Sequence, residues 1–154
     1  MTEIIKGKLY LGSIDDANNI DFLETNNISA IITVAHCCEV SPAIKDCKRV
    51  HKFNIVDFTG EDIGQYFQEI HDLIEREGCV LVHCVAGMSR SPTIVISYLM
   101  SVYHMNLLEA WKLVKTKRPC VKPNTAFVKQ LLDYDYNLYF KNSVEMKDII
   151  GNQV

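Results

Sequence analysis

Residues 82–93 read VHCVAGMSRSPT, and this stretch decides how the rest of the chain folds. The run Cys79–His83 is short and almost continuously apolar, which is typical of a central strand covered on both faces. A helix is predicted to follow, from about Ser91 to Tyr103. Pro92 suits its first turn, where a missing N–H costs nothing, and Ser91 is a suitable cap. The stretch therefore predicts a strand, a tight loop and a helix.

The loop between this strand and this helix has the composition of an anion-binding site. A loop that curls at a helix N-terminus points successive N–H groups inward, and the helix dipole adds positive potential. Gly87 permits the positive φ that such a curl requires. Arg90 supplies a planar fork that matches two oxygens of a phosphate. Cys84 lies at the base, where the same donors would stabilise a thiolate, so the pattern predicts a tetrahedral dianion held against a cysteine.

A purely structural interpretation is the alternative. Cys84 would then be an inert core residue and Arg90 a solvated one, and buried unreactive cysteines are common. That interpretation leaves Gly87, the neighbouring serines and the strand–loop–helix context unexplained. The chemical interpretation explains all of them together and is preferred.

Several stretches resemble a known family. The pattern HCxxGxSRS over residues 83–91 is similar to the signature of the cysteine-dependent protein phosphatases, and its last serine, with SYLM at 97–100, resembles the dual-specificity branch. LYLGS at 9–13 is similar to that branch's opening strand, and the Pro-Asn pair at 123–124 to the start of its closing helix. The resemblance covers nearly all of residues 4–140. It implies a protein tyrosine phosphatase-like fold and hydrolysis of phosphotyrosine and of phosphoserine or phosphothreonine in proteins.

The chemistry of the loop assigns roles that agree with this resemblance. Cys84 would attack phosphorus in line and form a phosphocysteine intermediate. Ser91 can donate to the Cys84 sulfur and help the thiolate to leave in the second step, a role that the resemblance also implies. The equatorial oxygens would be held through a loose transition state by the predicted phosphate-binding residues Val85, Ala86, Gly87, Met88, Ser89 and Arg90. The scheme requires no metal and no cofactor.

Three residues outside the loop are candidates for supporting roles. His83 precedes the nucleophile, but side chains alternate along a strand, so we interpret it as orienting the loop rather than as the base. A leaving alkoxide or phenolate needs a proton, and the resemblance implies an aspartate after the strand that precedes the long helix. Asp57 has that position, and Asp62, which has the position of a helix cap, is the competitor. Asn124 is predicted either to brace the active-site loops or to be a plain N-cap.

A second group of residues could suggest a metal site: His36, Cys37, Cys38, Cys47 and His51. Their spacings lack the paired cysteines and paired histidines that are typical of zinc sites, so metal binding is disfavoured. Cys37 and Cys38 follow a strand predicted to run parallel to that of Cys84. We therefore hypothesise that one of them could trap an oxidised Cys84 as a disulfide.

Length and composition bound the remaining possibilities. The chain has 154 residues, of which 48% are hydrophobic and 23% charged, which predicts one domain with a real core. We expect a catalytic domain over residues 1–141 and a weakly held C-terminal tail over residues 142–154. A net charge of −3 disfavours nucleic acid as a partner, and no stretch approaches the roughly 20 apolar residues of a membrane span. Without a signal-peptide core, a cytosolic or nuclear protein with reduced cysteines is expected, with a monomer favoured.

Strands alternate with helices along the chain, which predicts an α/β fold with a central, mostly parallel sheet flanked by helices. A ligand in such a sheet binds at the carboxyl ends of the strands, where Cys84 falls. The predicted strands are Lys8–Leu11, Ile28–Val34, Val50–Val56 and Cys79–His83. Helices are predicted at Ser13, at Ile20–Thr25, from Asp62 to a left-handed cap at Gly78, at Ser91–Tyr103, from Asn106 to Lys117 and after Asn124. Residues 36–48 are predicted as a loop.

Other functions with the same motif remain open at this stage. A phosphatase could act on a phosphoinositide, an RNA 5′ end or a glycan. Phosphoinositide phosphatases of the superfamily tend to carry lysines inside the loop, whereas Val85, Ala86 and Met88 are uncharged. A phosphoprotein-binding pseudoenzyme would usually lack the cysteine, the arginine or the acid. Because the loop from Asp57 to Glu61 is short, we expect a shallow cleft that phosphoserine and phosphothreonine can also enter.

Overall fold

The computed structural model describes residues 1–151, which form an α/β fold around a five-stranded sheet of order β1-β2-β5-β3-β4. The strands are β1 (Thr2–Ile5), β2 (Leu9–Gly12), β3 (Ala30–Val34), β4 (Arg49–Phe53) and β5 (Val80–His83). β1 pairs antiparallel with β2, and the other neighbours pair in parallel. The predicted fold class, a central and mostly parallel sheet flanked by helices, is therefore confirmed.

The helices lie on both faces of this sheet. They are α1 (Ile14–Ala17), α2 (Ile20–Thr25), α3 (Pro42–Cys47), α4 (Phe67–Arg76) after a 3₁₀ turn at Ile63–Tyr66, α5 (Arg90–Val102), α6 (Leu107–Lys117), α7 (Thr125–Tyr139) and α8 (Met146–Ile150). Side chains alternate along each strand. Leu81 therefore packs into a small core with α1 to α3, whereas Val80 and Val82 pack into the large core with α4 to α7. Among residues 1–151, no helix combines the length and the apolar character needed to cross a membrane.

Helix α5 positions the loop that precedes it. Its residues from Arg90 to Met100 are all buried, and it contacts α4, α6, α7 and the strands β2 and β5. An element enclosed on every side cannot shift without opening the large core. The end of β5 and the start of α5 are therefore fixed points for the loop between them.

Two elements were not predicted from the sequence. Strand β1 pairs with β2 through a turn in which Gly7 has φ of 66° and the Lys8 N–H donates to the Ile5 carbonyl. The sequence signal for this four-residue strand is weak, and its pairing partner defines it. Helix α3 lies inside the segment 36–48 that was predicted as a loop, and its signal was present, since Pro42 at the start of a helix after Ser41 is a favoured combination.

Two other predictions were wrong. Gly78 was predicted as a left-handed cap, but α4 ends at Arg76 and Glu77 continues as extended backbone. The segment after residue 141 was expected to be a weakly held tail. Instead Ser143 donates to the buried Asp135 carboxylate, and Ile149 of α8 is 3% exposed in the large core. Residues 152–154 of that predicted tail lie outside the described residues.

Candidate active site

The segment between β5 and α5, residues 84–89 and here called the phosphate loop, curls at the N-terminus of α5. Gly87 has φ of 69°, as the sequence predicted for the curl. A Cβ atom there would lie 2.6 Å from the Gly12 carbonyl oxygen and 2.6 Å from Arg118 Nη2, so close approach also requires glycine. Within residues 1–151, the N–H groups of residues 85–89 donate to no protein acceptor. The loop therefore presents a row of free donors.

Cys84 lies at the base of the phosphate loop and is 2% exposed. Its Sγ is 3.2 Å from Ser91 Oγ, which also lies 3.5 Å from the Gly12 carbonyl oxygen. Ser91 was predicted both to contact the sulfur and to cap α5. The cap is Ser89 instead, because α5 begins at Arg90 and Ser91 already lies inside its first turn. Being inside the turn directs the Ser91 hydroxyl at the thiol.

Arg90 is also buried, with 7% of its surface exposed. Its Nη1 donates to the Ile55 carbonyl at 3.1 Å and lies 3.8 Å from Cys37 Sγ. Its Nε is buried and has no hydrogen-bond partner among residues 1–151. A buried charged donor is usually paired, so this atom is a donor available to an anionic ligand. Among residues 1–151, no carboxylate forms an ion pair with the Arg90 guanidinium, which fits the predicted phosphate fork.

His83 lies on the opposite face of β5 from Cys84. Its Nδ1 is 2.9 Å from the Cys84 carbonyl oxygen and its Nε2 is 2.7 Å from Thr33 Oγ1. A carbonyl oxygen only accepts, so Nδ1 carries the proton and Nε2 accepts from the threonine hydroxyl. Burial lowers the pKa of the imidazole, which favours this neutral form. The contacts agree with the interpretation that His83 orients the loop.

Asp57, and not Asp62, lies against the phosphate loop. Asp57 Oδ1 accepts a hydrogen bond from Ser89 Oγ at 2.7 Å and another from Asn124 Nδ2 at 3.1 Å. Asp62 precedes the 3₁₀ turn, and its side chain makes no capping hydrogen bond. Both aspartates are exposed. The position that the sequence favoured for the acid is therefore the one that touches the loop.

Asn124 satisfies both interpretations that the sequence left open. Its Oδ1 accepts from the Phe127 N–H at 2.9 Å and so caps α7. Its Nδ2 donates to Asp57, and its backbone N–H donates to Ser89 Oγ at 3.0 Å. One residue therefore joins the start of α7, Asp57 and the end of the phosphate loop.

The cysteines that follow β3 lie near the site. Cys37 contacts Arg90 as described, and Cys38 packs against the large core that contains Cys84. Burial raises the pKa of the Cys38 thiol. The disulfide with Cys84 stays a hypothesis. Across residues 1–151, no three His, Cys, Asp or Glu side chains converge so as to hold a metal ion, and His51 instead contacts Glu77.

One residue at the site was missed by the sequence reasoning. Arg118 directly follows α6, and no role at the site was predicted for it. Its Nε donates to the Gly87 carbonyl at 2.9 Å, and its Nη2 donates to the Ala86 carbonyl at 3.3 Å. The residues are 31 and 32 positions apart in sequence. No local spacing rule could have found this contact.

Comparisons with known proteins agree with this geometry. A family model described as the dual specificity phosphatase catalytic domain matches residues 9–137. The MAP kinase phosphatase with leucine-rich repeats protein 3 of Dictyostelium discoideum is 40% identical over 92% of this chain, but the chain spans only 17% of that protein. Dual specificity protein phosphatase 1B of Arabidopsis thaliana is 37% identical, with 90% of this chain and 83% of that protein covered. The human tyrosine phosphatase-like serine/threonine/tyrosine-interacting protein has a crystal structure that matches with a TM-score of 0.80 and 31% identity, covering 92% of this chain and 98% of that one.

Proposed function

The chain belongs to the dual specificity phosphatase catalytic domain family and is a cysteine-dependent protein phosphatase, and from that premise we propose that Cys84, Arg90, Asp57 and Ser91 carry its reaction. In the first step the Cys84 thiolate attacks phosphorus in line. A bond forms between sulfur and phosphorus, the bond to the leaving oxygen breaks, and Asp57 gives its proton to that oxygen. In the second step water attacks phosphorus, Asp57 takes a proton from it, and the thiolate leaves.

The phosphate loop supports both steps by binding the equatorial oxygens. Its N–H groups at residues 85–89 are free to donate, and Arg90 Nε is a further buried donor. These donors are fixed before the substrate arrives, so they stabilise the charge of the transition state without reorganising. The helix dipole of α5 acts in the same direction. This arrangement of free donors above Cys84 is the observation that carries the proposal.

Ser91 supports the second step. Its hydroxyl lies 3.2 Å from the sulfur, within reach of a hydrogen bond to sulfur. When the bond between sulfur and phosphorus breaks, negative charge develops on the sulfur. A donor already at that distance stabilises the leaving thiolate.

The contacts of Asp57 indicate which oxygen would carry the proton. Oδ1 accepts from both Ser89 and Asn124, so it is already in use. Oδ2 is therefore the oxygen that would hold the proton and present it to the leaving group. A positioned acid of this kind contributes about 10²–10⁴-fold to the rate.

The surroundings of the site support substrates of more than one length. Val85 and Met88 in the phosphate loop are 37% and 41% exposed, and Phe58 beside the acid is 53% exposed. Side chains this exposed form a low rim rather than a deep slot. A phosphoserine or phosphothreonine can then reach Cys84 as well as a phosphotyrosine. The rim is uncharged, which gives no support to a multiply charged headgroup as substrate.

We also propose the substrates, the compartment and the oligomeric state of the protein. Phosphorylated proteins are the substrates that we infer, without nucleic acid or membrane as a partner. All six cysteines are free thiols, which supports a reducing compartment such as the cytosol or the nucleus. We propose that the protein acts there as a monomer.

A substrate panel tests the proposal. One peptide sequence is prepared with phosphotyrosine, phosphothreonine or phosphoserine, and kcat/KM is compared with that for a phosphoinositide and an RNA 5′-triphosphate. We expect turnover of all three peptides, fastest for phosphotyrosine because a phenolate leaves more easily than an alkoxide. Brisk turnover of phosphotyrosine alone would overturn dual specificity. Turnover of the phosphoinositide with neglect of every peptide would overturn the choice of substrate class.

A further inference from the structure

Every carbonyl of the phosphate loop is tied to a donor on the outer side of the loop. In chain order, His83 Nδ1 donates to the Cys84 carbonyl and the Ile14 N–H to the Val85 carbonyl. Arg118 Nη2 donates to the Ala86 carbonyl and Arg118 Nε to the Gly87 carbonyl. The Lys122 N–H donates to the Met88 carbonyl and the Thr93 N–H to the Ser89 carbonyl. The distances lie between 2.7 Å for Met88 and 3.3 Å for Ala86. The N–H groups of residues 85–89 have no such partners within residues 1–151. The carbonyls on the outer side of the loop therefore all have donors, and the N–H groups on its inner side are free to bind a ligand.

The two properties are physically linked. A peptide unit is planar, and in the trans form its C=O and its N–H point in opposite directions. A donor that fixes the carbonyl of one residue therefore fixes the direction of the N–H of the next residue. Holding the Ala86 carbonyl aims the Gly87 N–H, and holding the Gly87 carbonyl aims the Met88 N–H. The outer hydrogen bonds thus set the inward direction of the donors that would bind phosphate.

Arg118 differs from the other outer donors because it holds consecutive peptide units with one side chain. Its planar guanidinium contacts the Ala86 and Gly87 carbonyls, in the middle of the loop and farthest from the fixed ends at β5 and α5. Gly87 lacks a side chain and has positive φ, so these peptide units have the greatest intrinsic freedom to rotate. Arg118 therefore restrains the part of the loop that most needs it.

We propose that Arg118 is a positioning residue that aims the Gly87 and Met88 N–H groups at the phosphate. The inference rests on the phosphate-binding role proposed above for the loop. Arg118 itself would act from the outer side of the loop, through the Ala86 and Gly87 carbonyls. Another side-chain hydrogen bond of Arg118 runs from Nη1 to Thr2 Oγ1 at 3.1 Å and joins Arg118 to β1.

A merely structural role predicts different results from a positioning role. If Arg118 only joined β1 to the body of the protein, loss of the Thr2 contact would matter as much as loss of the loop contacts. If Arg118 acted only through its positive charge, lysine would replace it. If it positions peptide units, lysine fails, because an ammonium cannot reproduce the planar fork that spans adjacent carbonyls.

The experiment compares Arg118→Met, Arg118→Lys and the control Thr2→Val with the parent protein. The measurements are kcat/KM for p-nitrophenyl phosphate, the inhibition constant of orthovanadate, and the pH dependence of Cys84 alkylation by iodoacetate. Both Arg118 variants should lose about 10²-fold in kcat/KM, the usual effect of a small misplacement near the chemistry. Vanadate should bind about tenfold more weakly, as expected when each misaimed donor forfeits roughly one hydrogen bond. Alkylation of Cys84 should become slower at neutral pH, because N–H groups that no longer point inward would stabilise the thiolate less.

The controls separate the possible outcomes. Thr2→Val should retain parent values in all of these measurements. Circular dichroism and thermal melting establish which variants fold, and Arg118→Lys decides the question if Arg118→Met does not fold. Parent-like vanadate binding and alkylation in folded Arg118→Lys would overturn the positioning role. A parent protein that hydrolyses no aryl phosphate would instead overturn the proposed function, and this inference with it.

Discussion

The phosphate loop is tied by all of its carbonyls, and Cys84, Gly87 and Ser89 in it are buried, whereas the acid loop, residues 54–62, is exposed throughout its middle part. Residues 56–60 of the acid loop are all exposed, and its internal bonds include one from the Val56 N–H to the Glu61 carboxylate at 3.0 Å. The bonds to Asp57 come from Ser89 and Asn124. The position of Cys84 is therefore set by the fold, and the position of the Asp57 side chain is set by its bonds to Ser89 and Asn124.

The largest loss of turnover should come from a change in the phosphate loop, at Cys84. Cys84→Ser removes the thiolate but leaves the free N–H groups and Arg90 in place. Turnover of a phosphotyrosine peptide should fall by about 10⁴-fold or more, as when other covalent nucleophiles are removed. The variant should still bind the peptide, which isothermal calorimetry would measure. Clear residual turnover in pure variant would contradict the role of Cys84, and Arg90→Lys should fail as well because its ammonium lacks the bidentate fork.

A change in the acid loop, at Asp57, should cause a loss of activity that depends on the leaving group. Asp57→Asn keeps an oxygen that can accept from Ser89 but has no proton to give. Alkyl phosphates should lose about 10²–10⁴-fold in kcat, and an activated aryl phosphate should lose little, because its leaving group needs no acid. Asp62→Asn is the matched control, since Asp62 lies in the same loop without touching the phosphate loop. The assignment is wrong if Asp62→Asn gives this pattern and Asp57→Asn does not.

The contrast between the loops also explains what the sequence could predict. Cys84, Gly87 and Arg90 lie within seven positions, so their spacing and the strand–loop–helix context carried the prediction. The capping residues Ser13 and Asn106 were found in the same way, because a cap is read from residues three positions apart. Local patterns thus predicted the nucleophile side of the site and the order of the main elements.

Contacts between distant parts of the chain were beyond that reasoning. Arg118 and the Ser89–Asp57 hydrogen bond join residues more than 30 positions apart, and no local pattern indicates such a pair. The docking of residues 143–149 depends on Asp135, a buried carboxylate whose partners come from two other segments. The sequence alone predicted α7 correctly and still gave no signal for that docking.

Acid should lower the free energy of unfolding through His71 on α4. His71 is 2% exposed, and its Nε2 lies 2.8 Å from Ser97 Oγ on α5, behind the phosphate loop. Burial lowers the pKa of His71 from 6.5 to about 4, although Asp72 opposes the shift. Between these values the unfolded chain binds more protons than the folded chain, so stability falls as pH falls from about 6.5 to about 4. The loss should reach about 3 kcal/mol.

Urea unfolding at pH 7 and at pH 4.5 measures this loss. His71→Asn removes one buried imidazole and should reduce the pH dependence, whatever it does to stability at pH 7, and His83, whose pKa burial also lowers, should keep its own share. His104→Asn removes an exposed imidazole and should keep the loss seen in the parent. An unchanged pH dependence in folded His71→Asn would show that the acid sensitivity arises elsewhere.

The smallest effect should come from the side chain that joins the two loops. Ser89 Oγ donates to Asp57 and accepts from the Asn124 N–H, so this hydroxyl joins Asp57 to the phosphate loop. Ser89→Ala removes that tie but leaves the carbonyl of residue 89 bonded to the Thr93 N–H and Asn124 Nδ2 bonded to Asp57. The phosphate loop should therefore keep its shape, and vanadate should bind as in the parent.

Asp57 should be less well placed in Ser89→Ala, and kcat for a phosphothreonine peptide should fall about tenfold, the worth of roughly one hydrogen bond. An activated aryl phosphate, which needs no acid, should be hydrolysed almost as before. Ser13→Ala, which removes the hydroxyl that caps α1, is the control. Equal losses of vanadate affinity and of phosphothreonine turnover in Ser89→Ala would mean that the two loops form one unit, and the distinction between them would fail.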